Sequence, residues 1–297
     1  MSQENAIVVK NLTKRYKDFC LDNISFEIPY GTIVGFIGEN GAGKTTTIKS
    51  LLGLCQIESG EIELLGNQVK RVKEDAEYKE HIGVVFDECN FPQELFMGDV
   101  GKIMKSIYKT WDSVKFENYV KQFELPKNKK VKELSKGMKM KLSIAVALSH
   151  DSRVLILDEA TSGLDPIIRN EILDIFRDFV LDEKHAIFLS SHITSDIEKV
   201  ADYIMLIHKG KLLFKAGKDE LIYNYAIVKC SKEQAESIPT DIIVGRADNA
   251  FETSILINDK KRLTESNFFK KCEEDAITPV IDRANIEDIM LYMVKSK

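Results

Sequence analysis

Short runs of consecutive apolar residues recur along the chain and predict buried strands. They lie in Ile33 to Gly38, in VLILDEA at Val154 to Ala160 and in AIFLSSH at Ala186 to His192. A run that carries almost no charge suits a strand covered on both faces, which is typical of parallel sheets. The pattern therefore predicts an α/β fold around a mostly parallel sheet.

Apolar and polar residues alternate in other parts of the chain. Alternation in IVVKNLTKRY, LDNISFEIP and GEIELLG predicts antiparallel strands in the N-terminal region. The stretch DYIMLIHKGKLLFKAG predicts a hairpin with Lys209 and Gly210 in its turn. An antiparallel β subdomain and a hairpin are thus expected beside the central sheet.

Helical periodicity begins at Phe91 and predicts an α-helical subdomain over about residues 91–145. The apolar residues from Leu142 to Leu148 circle their helix, as expected for a helix buried on every side. The last segment alternates in AIVKC and SILIN and ends in the helical pattern IEDIMLYMVK. We expect two domains, 1–220 and 221–297, the second a small α+β appendage whose regulatory, dimer-stabilising or packing role stays open.

Composition narrows the possible classes of protein. The chain has 297 residues with 44% hydrophobic residues, enough for one large and one smaller domain. Its formal net charge of −5 provides no general attraction to nucleic acid or anionic membranes. Its five cysteines form no C-x-x-C pair, which disfavours a zinc or redox motif. No stretch approaches about 18 uncharged apolar residues and no signal-peptide pattern is present, so we expect a cytosolic chain.

A glycine-rich turn joins the first buried strand to a predicted helix, and it reads G-x-x-x-x-G-K-T over residues 38–45. Polyphosphate binding needs several backbone N–H groups aimed at one point, and glycine permits the required dihedrals. Lys44 supplies a charge for the β- and γ-phosphates, and the Thr45 hydroxyl is placed to bind Mg²⁺. The alternative is a surface lysine on a Gly-rich turn. The predicted nucleotide-binding residues are Gly38, Glu39, Asn40, Gly41, Ala42, Gly43, Lys44, Thr45 and Thr46.

Two adjacent acids, Asp158 and Glu159, end the second buried strand. In open parallel sheets, ligands bind at the carboxyl ends of the strands. We therefore expect Asp158 to approach Mg²⁺ and Glu159 to polarise an attacking water. The alternative is a pair of solvated acids.

Three further motifs accompany these two. LSKGM at residues 134–138 precedes the acidic strand, SGLD at residues 162–165 follows it, and SSH at residues 190–192 ends the next strand. In this order the five motifs resemble those of the ATP-binding cassette family, the ATPase subunits and domains of ABC transporters, over roughly residues 5 to 220. The resemblance implies a P-loop NTPase core, with ATP and Mg²⁺ as cofactors.

The resemblance also implies a head-to-tail dimer of this chain with itself or with a paralogous ATPase. Ser135 and Gly137 of one copy would cap the γ-phosphate of ATP bound by the other. Asp165 would link the two sites, and His192 would contact the γ-phosphate.

Tyr16 is the aromatic residue expected to stack on adenine, and Phe19 is the second candidate. Taken singly, Ser135 also fits a helix N-cap, His192 a strand-end histidine, and Tyr16 an ordinary strand aromatic. The expected catalytic residues are Glu159, His192 and Lys44.

Three positions depart from the family pattern. Asp87 stands where the family usually has Gln, and its shorter, charged side chain is expected to reach Mg²⁺ through water. Gln93 is a second candidate for that position. Lys136 stands where Gly is common, and Ala160 stands where Pro is usual. The expected metal-binding residues are Thr45, Asp87 and Asp158.

The stretches MGDV, YKTWD, LSKGMKMKLS and SSHITSDIEKVADYI resemble the ATPase subunits of bacterial ABC-2 type exporters of peptides, lantibiotics and antibiotics. This implies an ATPase that dimerises on ATP at the inner face of the cell membrane and drives a separate multi-span permease. By resemblance, the loop at Asp87 and the helical subdomain would meet that permease.

The alternative function is a soluble cassette ATPase that acts on nucleic acid or the ribosome. It is favoured by residues 127–141, which contain seven lysines and one glutamate. The same lysines would also fit a solvated face, attraction to the facing subunit's nucleotide, or attraction to anionic lipid. One P-loop and no sustained heptad repeat favour the transporter, so no nucleic-acid partner is expected.

Overall fold

The computed structural model describes residues 5–69, 77–249 and 252–295. The chain divides into two compact units, Met1–Lys215 and Ala216–Lys297. The boundary predicted at residue 220 lies a few residues later, inside the helix Lys218–Asn224.

The first unit contains two sheets and a set of helices. Its strands are β1 (Asn5–Arg15), β2 (Cys20–Pro29), β3 (Ile33–Ile37), β4 (Ser59–Leu64), β5 (Asn67–Gln68), β6 (Ile82–Val85), β7 (Val154–Asp158), β8 (Ala186–Ser190), β9 (Tyr203–His208) and β10 (Lys211–Gly217), the last of which ends in the second unit. Its helices are α1 (Lys44–Leu51), α2 (Met97–Ile107), α3 (Ser113–Gln122), α4 (Lys136–Ala147), α5 (Pro166–Val180) and α6 (Thr194–Val200).

The central sheet has six strands in the order β10-β9-β3-β8-β7-β6. Strands β9, β3, β8, β7 and β6 are joined by parallel pairing. Every residue of β3, β7 and β8 is buried, because the sheet is covered on both faces. The three apolar runs therefore form the predicted parallel core.

The second sheet, in the order β2-β1-β4-β5, is antiparallel throughout. It packs on the central sheet through aromatic contacts. The ring of Phe26 on β2 stacks on Phe188 of β8 at 5.7 Å, and Phe36 of β3 lies 5.1 Å from Phe188. The antiparallel pairing confirms the strands predicted from alternation, and the ring contacts hold this sheet against the core.

Helices α2, α3 and α4 occupy the predicted helical region. Asp112 caps α3 by accepting hydrogen bonds from the amides of Val114 and Lys115. All residues from Leu142 to Leu148, the C-terminal half of α4 and its C-cap, are buried except the half-buried Ser143. The apolar circumference of this helix therefore faces protein on every side, as predicted.

The β9–β10 hairpin turns at Lys209 and Gly210, with φ angles of 45° and 77°. Both angles suit the tight turns that match the twist of a hairpin. A Cβ at position 210 would lie 1.8 Å from the carbonyl oxygen of Cys20, so glycine is required there.

The second unit is a small α+β structure. Its strands are β11 (Ala226–Cys230), β12 (Ile243–Asp248), β13 (Thr253–Ile257) and β14 (Val280–Arg283). They form an antiparallel sheet in the order β12-β13-β11-β14. Strands β11 and β13 are the predicted AIVKC and SILIN segments, whereas the more exposed outer strands β12 and β14 lack a recognisable alternation and were missed. The helices are α7 (Lys218–Asn224), α8 (Lys232–Ala235), α9 (Lys260–Glu265), α10 (Phe268–Asp275) and α11 (Ile286–Lys295).

Within the residues that the structure describes, each helix is too short or too polar to cross a lipid bilayer.

His150, just beyond α4, is buried and makes the stability of the fold sensitive to acid. Its ring stacks on Tyr108 at 4.0 Å, and its Nδ1 lies 2.8 Å from the carbonyl oxygen of Glu80. Desolvation lowers the pKa of His150 from 6.5 to about 4, against smaller raising effects of Glu80 and Asp151. Because the unfolded chain then binds the proton more tightly, stability is lost as pH falls from about 6.5 to 4.

We therefore predict that the lowered pKa of His150 reduces the free energy of unfolding by about 3 kcal/mol when the pH falls from 7 to 4. In His150→Phe, which keeps an aromatic ring against Tyr108, denaturant titrations should show a flatter dependence on pH. The same pH dependence in both proteins would contradict this prediction.

Candidate functional site

The glycine-rich turn between β3 and α1 has the geometry of an anion cradle. Gly41 and Gly43 have φ angles of 80° and 118°. A Cβ at Gly38 would lie 2.4 Å from the carbonyl oxygen of Ile207, so this glycine allows β3 and β9 to approach closely. Gly43 is the N-cap of α1 and no side chain caps this helix. The first amides of α1 are therefore free of side-chain acceptors and suited to phosphate oxygens.

Lys44 folds back over this turn. Its side chain is nearly buried, and Nζ donates hydrogen bonds to the carbonyl oxygens of Gly38 at 2.7 Å and Glu39 at 3.3 Å. The Oε1 atom of Glu159 lies 3.7 Å from the same ammonium. The turn thus holds a desolvated positive charge next to Glu159, the acid that follows β7.

Asp158, which is 3% exposed, ends β7 and receives hydrogen bonds from both sides. The Thr45 hydroxyl donates to Oδ2 at 2.8 Å, and the Ser190 hydroxyl donates to Oδ1 at 2.9 Å. Ser190 stands opposite Asp158 in the parallel pairing of β7 with β8. Sequence reasoning did not assign Ser190 a role, although its place at the end of the AIFL run was a usable signal.

Glu159 turns away from its neighbour because its backbone is left-handed, with φ of 54°. Its amide donates to the Ser190 carbonyl oxygen at 3.0 Å, which holds this uncommon conformation. Its Oε2 atom lies 2.5 Å from Nδ1 of His192 and accepts from the His192 amide at 3.3 Å. The two adjacent acids therefore have separate partners: Thr45 and Ser190 for Asp158, and Lys44 and His192 for Glu159.

The donor set around Asp158 fits a hard cation. Carboxylate and hydroxyl oxygens are the protein ligands that Mg²⁺ takes, and Thr45 and Asp158 already bring such oxygens within 2.8 Å of each other. In the described ranges, no group of three or more His, Cys, Asp or Glu side chains is suited to a metal. Asp87 pairs with Lys136 Nζ at 2.8 Å, and its metal-binding role stays a prediction.

Tyr16 and Phe19 border a cavity of about 620 Å³ beside the turn, together with Gly41 and Lys209. Tyr16 is 45% exposed, and the ammonium of Lys14 lies 4.8 Å from its ring centre. Partial burial and the neighbouring Cys55 raise the pKa of the Tyr16 phenol. Phe19 packs more deeply against the core, so Tyr16 offers the more accessible ring face.

Ser135, Gly137 and Asp165 lie apart from this cluster. Ser135 is exposed, and its hydroxyl caps α4 by accepting from the Met138 amide at 3.2 Å. Asp165 caps α5 by accepting from the amides of Ile167 and Ile168 at 3.1 Å. Across the described residues, no hydrogen bond or ion pair joins Ser135 or Gly137 to Lys44 and the two acids. Their predicted roles in nucleotide binding stay predictions.

Two further residues support the site and were missed from sequence. Arg169 of α5 donates from Nη2 to the Leu164 carbonyl oxygen at 3.1 Å, and its Nε lies 3.8 Å from Oδ2 of the buried Asp196. It thereby joins the SGLD turn to α6, which follows His192. The buried Nδ1 of His208 lies 3.4 Å from Oε2 of Glu39 in the glycine-rich turn.

Comparisons with known proteins agree on one family. The family model described as ABC transporter matches residues 21–162. The chain is 30% identical to the uncharacterized ABC transporter ATP-binding protein YhcH of Bacillus subtilis (strain 168) over 98% of this chain and 92% of that protein. It is 37% identical to the bacitracin transport ATP-binding protein BcrA of Bacillus licheniformis over 72% of this chain and 71% of that protein.

A solved structure of an ATP-binding subunit of an ABC transporter superposes with a TM-score of 0.65 at 26% identity. The match covers 73% of this chain and 91% of that one. The P-loop NTPase fold predicted from the motifs is therefore confirmed. Together with the turn, buried lysine and paired acids, these matches show that the chain belongs to the ABC transporter family, as one of its ATP-binding proteins, and is an ATPase.

Proposed function

We propose that this ATPase drives a separate membrane permease that exports peptides, antibiotics or other amphipathic compounds. The observation that carries the hydrolytic part is the arrangement of Lys44, Glu159 and His192 beside the Thr45–Asp158 pair. The bacitracin transport named for one relative supports the substrate class. The chain would then lie at the inner face of the cell membrane.

In this proposal Lys44 and the α1 amides bind the β- and γ-phosphates of ATP, and Tyr16 stacks on adenine. The Glu159 carboxylate accepts a proton from the attacking water. His192 holds this carboxylate through its contact with Oε2 and is positioned to touch the γ-phosphate. Mg²⁺ would be held by Thr45 and Asp158, with Asp87 as the further expected ligand, and would neutralise phosphate charge.

The site is proposed to become complete in a head-to-tail dimer, of two copies or with a paralogous ATPase. Support comes from the exposed N-terminus of α4, where Ser135 and the half-buried Gly137 stand apart from the Lys44 cluster. A helix N-terminus is a favourable place for a phosphate. The γ-phosphate bound by the partner would therefore meet Ser135 and Gly137, and Asp165 would lie between the two sites.

The helical region is the proposed contact with the permease. Helix α2 carries exposed apolar side chains at Ile103 and Ile107, and its N-cap residue Phe96 is also exposed. Ile103 and Ile107 lie one turn apart on the helix, and exposed apolar side chains grouped in this way are typical of protein interfaces. The loop at Asp87, which precedes α2 in the chain, is proposed to belong to the same surface.

The lysine run gives little support to the nucleic-acid alternative. Lys127 pairs with Glu117, Lys136 with Asp87, and both Lys130 and Lys132 with Glu94. Four of the seven lysines are thus paired with three carboxylates of the same chain, which reduces the attraction to phosphate backbones. The transporter function is therefore favoured.

Purification from detergent-solubilised membranes tests the proposal. We predict that the tagged chain recovers a multi-span membrane protein and that Ile103→Glu with Ile107→Glu reduces this recovery at least about tenfold, because charge on an apolar contact is costly. Leu181→Glu, another exposed apolar position, is the matched control and should leave recovery unchanged. Recovery of ribosomes or nucleic acid in place of a membrane protein would overturn the proposal.

A further inference from the structure

The loop after β6 runs beside the segment that leads into α4. We call residues 86–95 the Asp87 loop and residues 127–136 the lysine segment. Backbone hydrogen bonds join them: the Val131 amide donates to the Leu95 carbonyl oxygen at 2.9 Å, and the Lys132 amide donates to the Gln93 carbonyl oxygen at 3.1 Å. The far end of the loop is thereby fixed to the segment.

Charged contacts follow the same path. Glu94 accepts from Lys130 at 2.8 Å and from Lys132 at 2.6 Å, and these hydrogen bonds lower the pKa of Glu94 to about 2. At the near end of the loop, Oδ1 of Asp87 lies 2.8 Å from Nζ of Lys136. The Asp87 loop is therefore held to the lysine segment at both ends, by ion pairs that Lys130, Lys132 and Lys136 make.

Lys136 also reaches a third loop. Its Nζ donates to the Ser162 hydroxyl at 3.5 Å, and a Cβ at Gly163 would lie 3.1 Å from its Cδ. Because Gly163 has no side chain, the aliphatic part of Lys136 lies directly over the SGLD turn. The first residue of α4 thus contacts the Asp87 loop and the turn that carries Asp165.

We propose that Lys136 is a positioning residue that makes the Asp87 loop, the Ser135 turn and the SGLD turn move together. This proposal rests on the proposed function, in which Ser135 caps the γ-phosphate across the dimer. Displacement of the Asp87 loop would be transmitted through Lys136 to the adjacent Ser135 and Gly137. Two of the three departures from the family pattern, Asp87 and Lys136, form one charge pair where the family usually has Gln and Gly.

The expected effects are moderate because both side chains are about half exposed. The loss of an exposed ion pair changes an equilibrium constant by about two- to fivefold. Such a pair adds little to overall stability, so its variants are expected to remain folded and to differ in how well the Ser135 turn is positioned.

A set of charge variants tests the pair through the ATPase reaction. Asp87→Asn and Lys136→Met should each raise the KM for ATP about two- to fivefold and change kcat less. The double variant should be no worse than either single. The exchanged pair Asp87→Lys with Lys136→Asp should restore the KM in part, because it renews the ion pair but not the contact of the Lys136 side chain with the SGLD turn. Lys129→Met is the matched control, since this exposed lysine of the same segment makes no ion pair in the described chain.

Hydrogen exchange of the Met138 amide in the ATP-free protein gives a second readout, because this amide donates to Ser135. It should exchange about two- to fivefold faster in the single variants and return towards the original rate in the exchanged pair. Additive effects of the single variants, or no restoration by the exchanged pair, would overturn the inference.

An Asp87→Asn variant that changed the Mg²⁺ requirement but not the exchange rate would also overturn the inference. So would an exchange rate that follows the predicted pattern while the KM does not. ATP-dependent dimerisation of Glu159→Gln, measured separately, distinguishes these results from a failure of the proposed dimer.

Discussion

Replacement of Glu159 by glutamine is expected to reduce ATP turnover by about 10² to 10⁴-fold, the usual contribution of a general base. Glutamine keeps the size of the side chain but cannot accept the proton of the attacking water. The contacts of Lys44 with the Gly38 and Glu39 carbonyl oxygens do not involve this side chain, so ATP binding should persist. Phosphate release and calorimetric titration with ATP measure the two effects separately.

The same variant should retain ATP long enough to hold a dimer on size-exclusion chromatography. Glu274→Gln, an exposed glutamate of the second unit, is the matched control and should turn over ATP at the original rate. Near-normal turnover in Glu159→Gln would remove this residue from the chemistry.

Replacement of Lys44 by alanine is expected to abolish measurable ATP binding. Lys44 is 6% exposed, and its ammonium would exchange its carbonyl partners for phosphate oxygens. Two hydrogen bonds of a charged group contribute about 1.5–3 kcal/mol each, so affinity should fall at least about a hundredfold. Calorimetry with ATP measures the loss directly.

Lys49→Ala is the matched control because Lys49 lies on the same helix and is exposed. It should bind ATP with unchanged affinity. Undiminished affinity in Lys44→Ala would contradict the placement of the phosphates at this turn.

Features that depend on neighbouring residues were predictable from the sequence. The path from strand β3 through the glycine-rich turn into α1 needs particular dihedrals at nearby positions, and glycine supplies them. The hairpin at Lys209 and Gly210 and the buried helix from Leu142 to Leu148 are local patterns of the same kind. Strands β12 and β14 were missed because exposed outer strands do not need a regular apolar alternation.

The partners of the site residues were only partly predictable. Thr45 and Asp158 are 113 positions apart, and their meeting was expected because both belong to known motifs at the same edge of the sheet. Ser190, 32 positions beyond Asp158, completes the set through the register of β7 and β8. The position of Ser190 at the end of a buried strand was visible in the sequence, but the register that places it opposite Asp158 is not encoded locally, so its role was not assigned.

By itself, the sequence determined the class of fold, the phosphate-binding turn and the two acids, because strand burial, glycine dihedrals and charged strand ends depend on local composition. Only the tertiary structure decided that Glu159 faces Lys44 and His192, and that Asp87 pairs with Lys136. The physical reason is that ion pairs form between whichever charges the chain path brings within a few ångströms. That path depends on the packing of the whole unit, and it directs four charges of the lysine run to acids of the same chain.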